Sequence, residues 1–505
     1  MKILSASQIR QADQYTIENE PISSIQLMER AARAVVQWFT GYFSPGRRVL
    51  VCCGTGNNGG DGLAIARMLL HNNWDVEVWV AGDEGHASPD FTNNRQALEG
   101  LLPIQNLNSG SVEQFPLDSA CIVIDALFGT GLSRPVSGIS AELIRQINLS
   151  GATVVSVDLP SGLPCDGQKP EGEVIVADHV VTFQLPKLAF LIPGNARWLR
   201  DWHVVDIGLS AGFIDAIPVG YELIGLDEAR LLYRPRPRFV HKAQVGRVLL
   251  ISGSRGFIGA AVLTSRACLR GGAGLLTVAL PSCGYGVLQT AVPEAMVMAD
   301  PDPDCLTQAP DLSAFDAVGV GPGIGQKPAT IAMLRELLRS AAAPMVIDAD
   351  ALNILAREPD LLDLLPPGSI LTPHPGEFRR LVGDWADDLQ RFELQRNLSQ
   401  RYGFFVLVKG AYTAIACPDG MFYFNNSGNP GMATGGSGDV LTGLLTALLG
   451  QGYPPKDAVL LGTFLHGLAG DLARSDLGEE AMIAGDLTDY LPEAWKRVRS
   501  GEWYQ

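Results

Sequence analysis

Short, almost continuously apolar runs alternate with amphipathic helical runs between Lys2 and about Gly208. The apolar runs are RVLVCC, DVEVWVAG, CIVIDAL, TVVSVDLP and HVVTFQL, and the helical runs are LAIARMLLHNN, FTNNRQALEGL and ISAELIRQINLS. Strands that are apolar on both faces and alternate with helices are typical of a parallel sheet covered on both sides. The sequence therefore predicts an α/β fold with a parallel sheet for this part of the chain.

The pattern is interrupted between Leu209 and Phe239 and then resumes. Within the interruption, YRPRPRF alternates proline with arginine, which neither a helix nor a central strand accommodates. Strand-like runs return with GRVLLISGS, GLLTVALP, AVGVGPG, APMVIDADALNIL, SILTPHPGE and FFVLVKGAYTAIACPDG. Because 505 residues exceed what one hydrophobic core usually holds, we expect two three-layer α/β/α domains, one over 1–215 and one over 222–500.

Composition narrows the class of protein. A hydrophobic fraction of 47% with 18% charged residues is typical of a globular enzyme, and a net charge of −16 argues against a nucleic-acid partner. An anionic small ligand is still compatible with this charge, since amides at a helix N-terminus can hold a phosphate.

Eight cysteines without a CxxC pair fit reduced, buried thiols better than zinc ligands or disulfides. The N-terminal segment has no apolar signal region and no apolar stretch is long enough to span a bilayer, so we expect a cytoplasmic protein without a membrane partner.

The segment CGTGNNGGDG, Cys53 to Gly62, joins a strand-like run to a helical run. A strand, a glycine-rich loop and a helix in that order present backbone N–H groups to a phosphate at the helix N-terminus. The loop is neither a standard GxGxxG fingerprint nor a Walker loop, and its distinguishing feature is side-chain oxygen from Asn57, Asn58 and Asp61. Glycine, asparagine and aspartate are also the usual residues of a tight turn. This loop alone leaves ligand binding and turn formation equally open.

Two further strand ends carry polar side chains. VIDALFGTGLSRP places Asp125 before a second glycine-rich loop, and SVDLPSG places Asp158 and Ser161 after another strand. The carboxyl ends of neighbouring parallel strands line one crevice, where ligands bind. Oxygen ligands without histidine or cysteine suit a hard cation, and the small number of carboxylates favours a monovalent ion over calcium.

The motifs GNNGGDG, DALFGTGL and DLPSG resemble the N-terminal domain of the NAD(P)HX epimerases, which act on hydrated nicotinamide nucleotides. The resemblance covers roughly residues 1–210, about the length of one domain, and implies a Rossmann-like parallel sheet with a potassium ion beside the substrate. The potassium ligands that it implies are Asn58, Asp125 and Ser161. The substrate-binding residues that it implies are Asn57, Asn58, Gly59, Gly60, Asp61, Gly129, Thr130, Gly131, Leu132, Ser133, Arg134 and Pro135.

Exchange of the (R)- and (S)-hydrates, the activity that this resemblance implies, requires proton chemistry at the hydrated ring carbon. A carboxylate at the edge of the sheet is a reasonable proton donor or acceptor, and Asp158 is our catalytic candidate. Its position suits a ligand to a ribose or another hydroxyl equally well. Lys187, in FQLPKLAFL, is a further candidate, although a single lysine is more often simply solvated.

A second glycine-rich loop, TGGSGD from Thr434 to Asp439, opens the helical run VLTGLLTALL. Its consecutive amides form an anion site at a helix N-terminus, with Asp439 in the first turn. An acidic residue there is also ordinary helix capping. Other loops favour a ligand site, since LTPHPGEFRRL holds His374 and Glu377, LVKGAYT begins a turn at Lys409, and GVGPGIG ends another strand. VIDADALN adds two aspartates at a strand end, for which metal or nucleotide contact and local capping are both open.

These loops resemble the ribokinase-like family, in which a glycine-rich anion hole stabilises a transferring phosphoryl group and the next aspartate accepts the hydroxyl proton. HKAQVGRVLLISGS, GPGIG, TPHPGE and NPGMATGGSGD resemble the ADP/ATP-dependent NAD(P)HX dehydratases of that family, over about residues 222–495. The resemblance implies Asp439 as the catalytic base, with Gly438 beside the nucleotide. The nucleotide-binding residues that it implies are Lys409, Gly410, Ala411, Tyr412 and Thr413, and the hydrate-binding residues are Ala260, Gly323 and His374.

Together the two resemblances imply a bifunctional enzyme that repairs NADHX and NADPHX. The first half would interconvert the (R)- and (S)-hydrates with potassium, and the second would dehydrate the (S)-hydrate with ADP as phosphoryl donor and Mg²⁺. A homo-oligomer is also implied. Two alternatives remain: a ribokinase-type small-alcohol kinase with a nucleotide-binding accessory domain, and a first half that binds or senses a nucleotide, or acts as a docking module, without catalysis.

Overall fold

Seven parallel strands form the sheet of the first of two units. The computed structural model describes residues 1–107, 117–132 and 134–501, and the two units are Lys2–Val219 and Gly220–Gln505, the latter with Met1. The described strands of the first unit are β1 Val49–Cys53, β2 Val76–Ala81, β3 Ile104–Leu107, β4 Ile122–Ala126, β5 Thr153–Val157, β6 Ala177–Phe183 and β7 Leu199–Val205. Their order is β3-β2-β1-β4-β5-β6-β7, and the direction of progression reverses between β1 and β4, where a crevice opens at the carboxyl ends.

Helices cover both faces of this sheet. They are α1 Ala6–Asn19, α2 Ser24–Tyr42, α3 Asn57–His71, α4 Pro89–Leu98, α5 Gly138–Leu149 and α6 Ala211–Ala216. On one face Phe39 of α2 and Phe91 of α4 are buried, and on the other face Leu143 of α5 is buried. The first helix begins with a capping box, in which the Ser5 and Gln8 side chains each bond the other's backbone N–H. Apolar stripes on both layers therefore bury the continuous apolar runs of the strands.

The sheet of the second unit is mixed. Its described strands are β8 Tyr221–Ile224, β9 Arg247–Ile251, β10 Leu275–Pro281, β11 Met296–Asp300, β12 Ala317–Val320, β13 Met345–Ile347, β14 Ile370–Leu371, β15 Phe405–Val408, β16 Ala414–Ala416 and β17 Phe422–Asn425. Their order is β11-β10-β9-β12-β13-β14-β15-β16-β17-β8. β16 runs antiparallel to both neighbours, whereas β8 rejoins the sheet parallel to β17.

Helices also cover both faces of the second sheet, and α14 lies deepest. The helices are α7 Leu226–Leu232, α8 Ile258–Arg270, α9 Tyr285–Ala291, α10 Pro328–Ser340, α11 Ala349–Arg357, α12 Pro375–Val382, α13 Asp388–Tyr402, α14 Ser437–Gly450, α15 Pro455–Leu477 and α16 Ala484–Ser500. Every residue of α14 from Val440 to Leu448 is buried. A Cβ on Gly443 would lie 2.1 Å from the Thr264 carbonyl oxygen of α8, so glycine is required for this close helix pair.

The predicted α/β class with layered sheets is confirmed. The eight cysteines are unpaired and all but Cys283 are buried, as expected. Tyr233–Phe239 lies outside helices and strands, in agreement with the prediction for YRPRPRF. Among the described residues, none of the helices combines the length and hydropathy that a membrane span requires. The strands β3, β7, β8, β11 and β17 and the first two helices had not been predicted, and α6, β8 and α7 lie within the predicted interruption.

Candidate active sites

A cavity of about 1270 Å³ lies at the carboxyl edge of the first sheet. Its wall combines the loops after β1, β2 and β4 with α1, α2 and the residue that follows β5. The sequence-predicted residues that line it are Asn57, Asn58, Asp61, Gly129, Thr130, Gly131, Leu132, Arg134, Pro135 and Asp158. The structure thus gathers most of the predicted substrate site around one crevice. Ser133 lies outside the described residues.

Two predicted substrate contacts, Gly59 and Gly60, lie behind the cavity wall. A Cβ on Gly59 would lie 1.8 Å from the Gly54 carbonyl oxygen, and one on Gly60 would lie 2.9 Å from the sulfur of Met28. A Cβ on Gly62 would similarly lie 2.6 Å from the Cβ of Ala126. These glycines therefore let the start of α3 pack against the sheet, which directs its N-terminus into the crevice.

Asp125 and Ser161 form a buried polar cluster beneath the cavity. The Asp125 carboxylate accepts hydrogen bonds from the Ser156 hydroxyl at 2.7 Å, from the Ser161 amide at 2.9 Å and from the Ser161 hydroxyl at 2.5 Å. The Ser161 oxygen accepts the Phe128 N–H at 2.8 Å. Burial raises the pKa of Asp125, and the hydrogen bonds from Ser161 partly offset that increase.

Asn58 stands over this cluster at the start of α3. Its side-chain oxygen would lie 3.2 Å from a Cβ on Gly129, so the Asn58 amide rests directly on the loop after β4. Its side-chain nitrogen is buried and makes no hydrogen bond. A buried amide without a partner is costly unless a ligand satisfies it.

Asp158 forms a buried ion pair with Lys187. The two charged groups are 2.7 Å apart, and their side chains are 10% and 1% exposed. Asp158 also accepts bonds from the Thr182 hydroxyl at 3.1 Å and the Phe183 amide at 3.2 Å. Its φ of +65° is left-handed, which is uncommon for a residue other than glycine. The alternative that Lys187 is simply solvated is wrong, because that side chain is almost fully buried.

Asp13 of α1 is a site residue that the sequence analysis missed. It lines the cavity, and burial together with the negative charge of Asp158 raises its pKa to about 6, while Lys187 opposes the increase. Burial, Asp158 and Asp13 also raise the pKa of Asp61 well above its usual value. The first cavity is therefore lined by several carboxyl groups, and Lys187 pairs with one of them, Asp158. The helix that carries Asp13 had not been predicted, and the burial of Asp13 arises from tertiary packing.

In the second unit, the glycine-rich loop turns directly into α14. Gly436 precedes the helix with a φ of +96°, a left-handed conformation that favours glycine. A Cβ on Gly438 would lie 2.9 Å from the Lys409 amine. The absence of a side chain at Gly438 thus lets the ammonium group of Lys409 lie against the first turn of the helix.

Asp348 anchors that ammonium group. Its carboxylate is 1% exposed and accepts bonds from Lys409 at 2.8 Å and from the Thr442 hydroxyl at 2.7 Å. Asp348 occupies the N-cap position of α11 but makes no side-chain capping bond, so local capping does not explain it. The sequence had left metal or nucleotide contact and local capping open for Asp348, and it had not singled out Thr442.

Asp439 lies in the first turn of α14. Burial is the main cause that raises its pKa to about 6, the charge of Asp348 raises it further, and Lys409 opposes the increase. Behind the same turn, the ring nitrogen Nε2 of His466 donates to the Ser437 carbonyl at 2.9 Å. Burial lowers the pKa of His466 to about 4, so this histidine is neutral at physiological pH. His466 is a further residue that the sequence analysis missed.

The predicted hydrate-binding residues Ala260 and Gly323 are neighbours. A Cβ on Gly323, whose φ is +66°, would lie 3.1 Å from the Cβ of Ala260. The next turn of the glycine loop is held by Asp350, whose carboxylate accepts the Gly325 amide at 2.9 Å and the Gln326 side chain at 3.0 Å. Asp350 therefore orders this loop.

His374 caps α12 and lies next to the Lys409 strand. Its Nδ1 accepts the Gly376 amide at 3.0 Å, its side chain is 52% exposed, and the Lys409 amide donates to the carbonyl of the preceding Pro373 at 3.0 Å. Burial raises the pKa of Glu377. The positive charge of Lys409 lowers this pKa, and the negative charge of Asp348 raises it. The loops that carry His374 and Lys409 therefore adjoin.

The residues from Lys409 to Thr413 form the tight connection between β15 and β16. The Thr413 hydroxyl donates to the Gly410 carbonyl at 3.1 Å, and Gly410 and Ala411 are exposed. The turn therefore presents backbone to solvent directly after Lys409.

Comparisons with known proteins agree on both halves of the chain. Residues 24–189 match the family model described as YjeF-related protein N-terminus, and residues 248–493 match the one described as NAD(P)H-hydrate dehydratase. The chain is 38% identical to the bifunctional NAD(P)H-hydrate repair enzyme Nnr of Moorella thermoacetica, over 97% of the chain and 96% of that protein. Identity to Nnr of Escherichia coli is 35%, over 96% of the chain and 92% of the relative. A crystal structure of ADP/ATP-dependent NAD(P)H-hydrate dehydratase from Bacillus subtilis, co-crystallized with ATP/Mg²⁺, matches with a TM-score of 0.47 and 29% identity over 54% of this chain and 97% of that one.

Proposed function

The chain belongs to the family of bifunctional NAD(P)H-hydrate repair enzymes, and from that premise we propose which residues of each unit carry its two activities. The first unit epimerises (R)- and (S)-NAD(P)HX, and the second dehydrates (S)-NAD(P)HX to NAD(P)H with a nucleotide. The observation that carries the assignment is that each unit places a glycine-rich helix N-terminus beside carboxyl groups, with Asp13 and Asp158 at the cavity that Asn57 and Asn58 line and Asp439 in the first turn of α14.

We assign the hydrated nucleotide to the cavity of the first unit. The N-terminus of α3, at Asn57 and Asn58, and the loop from Gly129 to Pro135 provide backbone N–H groups for its phosphates. Asp61 and Asp158 lie in the same wall. A volume of about 1270 Å³ accommodates a dinucleotide, since ordinary small-ligand pockets are about 300–1,000 Å³.

Potassium is assigned to Asn58, Asp125 and Ser161. The donor set fits a hard monovalent cation, because a carboxylate, a hydroxyl and a side-chain amide all bind through oxygen. No ion pair of the described residues neutralises Asp125, although it is buried. When bound, the cation would balance this carboxylate and order the loop after β4.

Proton transfer in the epimerase is assigned to Asp158, positioned by Lys187. The 2.7 Å ion pair fixes the position of the Asp158 side chain at the cavity wall. Asp13, whose pKa is about 6, is the second acid of the site and can hold a proton near neutral pH. Two carboxyl groups at the wall of one cavity would serve removal and return of a proton at the ring carbon.

In the second unit we assign the nucleotide to Lys409–Thr413 and Gly438, and the hydrate to Ala260, Gly323 and His374. Asp439 accepts the proton of the substrate hydroxyl as that oxygen attacks the terminal phosphorus of the nucleotide. The amides at the start of α14 and the Lys409 ammonium stabilise charge on the transferred group. The bond between the ring carbon and the phosphorylated oxygen then breaks, and phosphate leaves with the bonding electrons. Loss of a proton from the neighbouring ring carbon restores the ring double bond of NAD(P)H.

ADP is our proposed donor, which leaves AMP, and Mg²⁺ would accompany the phosphates. Asp348 already bonds Lys409 and Thr442, so Mg²⁺ would be held mainly through phosphate and water oxygens, which leaves Asp439 available as the base. When bound, Mg²⁺ would neutralise phosphate charge. We also propose a cytoplasmic homo-oligomer, and the unpaired cysteines support the compartment.

The test uses a mixture of (R)- and (S)-NADHX with ADP, Mg²⁺ and K⁺, followed by absorbance of the reduced nicotinamide. Complete recovery faster than spontaneous epimer exchange is expected, with inorganic phosphate as a product. In Asp158→Asn only the (S)-hydrate should be recovered as NADH. In Asp439→Asn the epimers should still exchange, but neither hydrate should be converted to NADH. A stable phosphorylated product would instead identify a small-alcohol kinase, and unchanged exchange in Asp158→Asn would refute the assignment of that residue.

A further inference from the structure

A second cluster of ligand-type side chains lies away from the cavity, on β6 and the edge strand β7. His179 is the direct neighbour of Asp201 in the strand register, and His203 follows two residues later on the same face as Asp201. One candidate ligand atom from each of these residues lies within 4.8 Å of the other two. His179 is four residues before the end of β6 at Phe183, so the cluster is about 13 Å along the strand from the cavity edge.

Two ring nitrogens of this cluster are buried without hydrogen-bond partners. They are Nδ1 of His179 and Nε2 of His203. The His203 nitrogen lies within ion-pair distance, 3.2 Å, of Oδ2 of Asp201, and Oδ1 of Asp201 accepts the Trp202 amide at 2.9 Å. Either nitrogen of a neutral imidazole can take the proton, so both of these ring nitrogens can present a lone pair to a metal ion.

Aromatic side chains of α2 and the residue after it cover the imidazoles. The ring centroids of Trp38 and His203 are 4.8 Å apart, and those of Tyr42 and His179 are 4.6 Å apart. This apolar cover fixes the histidine rings and leaves Asp201, whose side chain is 58% exposed, as the open side. An ion can therefore enter from solvent and keep water as a further ligand.

We propose that His179, Asp201 and His203 form a binding site for a divalent transition-metal ion of the zinc class. Two imidazoles and one carboxylate are a standard three-ligand set for such an ion. Bonds of about 2.1 Å place ligand atoms about 3.4 Å apart, which the exposed Asp201 side chain reaches by rotation. A bound ion would fasten β7, an edge strand, to β6. The site is independent of the epimerase and dehydratase assignments.

Titration of the untagged, chelator-treated full chain with Zn²⁺, in the presence of the Mg²⁺ and K⁺ used for activity, tests the site. One Zn²⁺ ion per chain should bind saturably. His179→Ala and His203→Ala should each raise the dissociation constant at least about tenfold. His71→Ala removes an exposed histidine elsewhere and should leave binding unchanged. Unaltered binding in the His179→Ala/His203→Ala double variant, or no saturable binding by the parent, would overturn the proposal.

Fluorescence provides a second measurement, which reports where the ion binds. Cu²⁺ or Ni²⁺ at the site should quench Trp38, whose indole lies 4.8 Å from the His203 ring. Trp38→Phe should retain Zn²⁺ affinity in calorimetry and lose most of the metal-induced quenching. Equal quenching in the parent and Trp38→Phe would place the ion elsewhere, whereas loss of quenching together with retained affinity supports this location.

Discussion

The Lys409 ammonium lies 2.8 Å from the Asp348 carboxylate and 2.9 Å from the point where a Cβ of Gly438 would stand. The ion pair thus occupies the space that any other residue at Gly438 would need. Since Asp348 also accepts the hydroxyl of Thr442 on the next turn of α14, its position is fixed from both sides. This arrangement brings a fixed positive charge against the helix N-terminus where a phosphoryl group would be transferred.

Gly438→Ala should impair the dehydratase while the unit stays folded. The new methyl group would displace the Lys409 amine, 2.9 Å away, and a shift of about 1 Å in a positioning group costs about 10²-fold in rate. Steady-state measurement of (S)-NADHX dehydration with saturating ADP gives kcat. Gly435→Ala is the matched control in the same loop, because a Cβ there meets nothing within 4 Å. Equal losses in both variants would contradict this role for Lys409.

Asp439→Asn should lower the dehydratase activity and raise the free energy of unfolding. Loss of the proton acceptor should lower dehydratase kcat by about 10²- to 10⁴-fold. In the parent, kcat/KM should fall as the pH decreases through about 6, where Asp439 becomes protonated. Epimer exchange measured in the same preparations should not change.

The stability effect of Asp439→Asn has a defined sign. The pKa of Asp439 in the folded protein, about 6, exceeds the ordinary value of 3.8. The free energy of unfolding of the parent therefore decreases as the pH rises from about 4 to about 6, and it stays lower at higher pH. Asparagine removes this decrease. The variant should therefore unfold at higher urea at about pH 8, by up to about 3 kcal/mol, and should equal the parent at about pH 4. A gain that is the same at both values would refute this electrostatic origin.

Sequence patterns predicted the central strands and both glycine loops, because buried parallel strands are continuous apolar runs and close backbone approach requires glycine. The edge strand β7, LRDWHVV, was missed since it is partly exposed and carries charged residues. Asp13 was missed because its raised pKa depends on packing of α1 against Asp158. The His179–Asp201 pairing depends on the register between β6 and β7, which no local pattern specifies.

Lys187→Met should destabilise the first unit. It would leave Asp158, 10% exposed, as a buried carboxylate without its cation, which typically costs about 3–5 kcal/mol. Asp158→Asn in the same chain removes the unpaired charge, so the double variant should recover much of the loss. Urea unfolding followed by fluorescence gives the four free energies of a double-mutant cycle. If the two losses simply add, the ion pair does not stabilise the unit.

Gly129→Ala should weaken activation of the epimerase by potassium. A methyl group at this position would stand 3.2 Å from the Asn58 side-chain oxygen, tighter than ordinary contact, and would push a proposed ligand off its place. The K⁺ concentration for half-maximal epimer exchange should rise by about tenfold, as for other groups that hold metal ligands in position. Gly131→Ala is the control, because a Cβ there meets nothing within 4 Å although the residue lines the same cavity. Both variants should recover the (S)-hydrate at the parental rate, since the dehydratase unit is untouched. An unchanged K⁺ requirement in Gly129→Ala would show that Asn58 does not bind the ion, and the buried Asp125 would then need another cation partner.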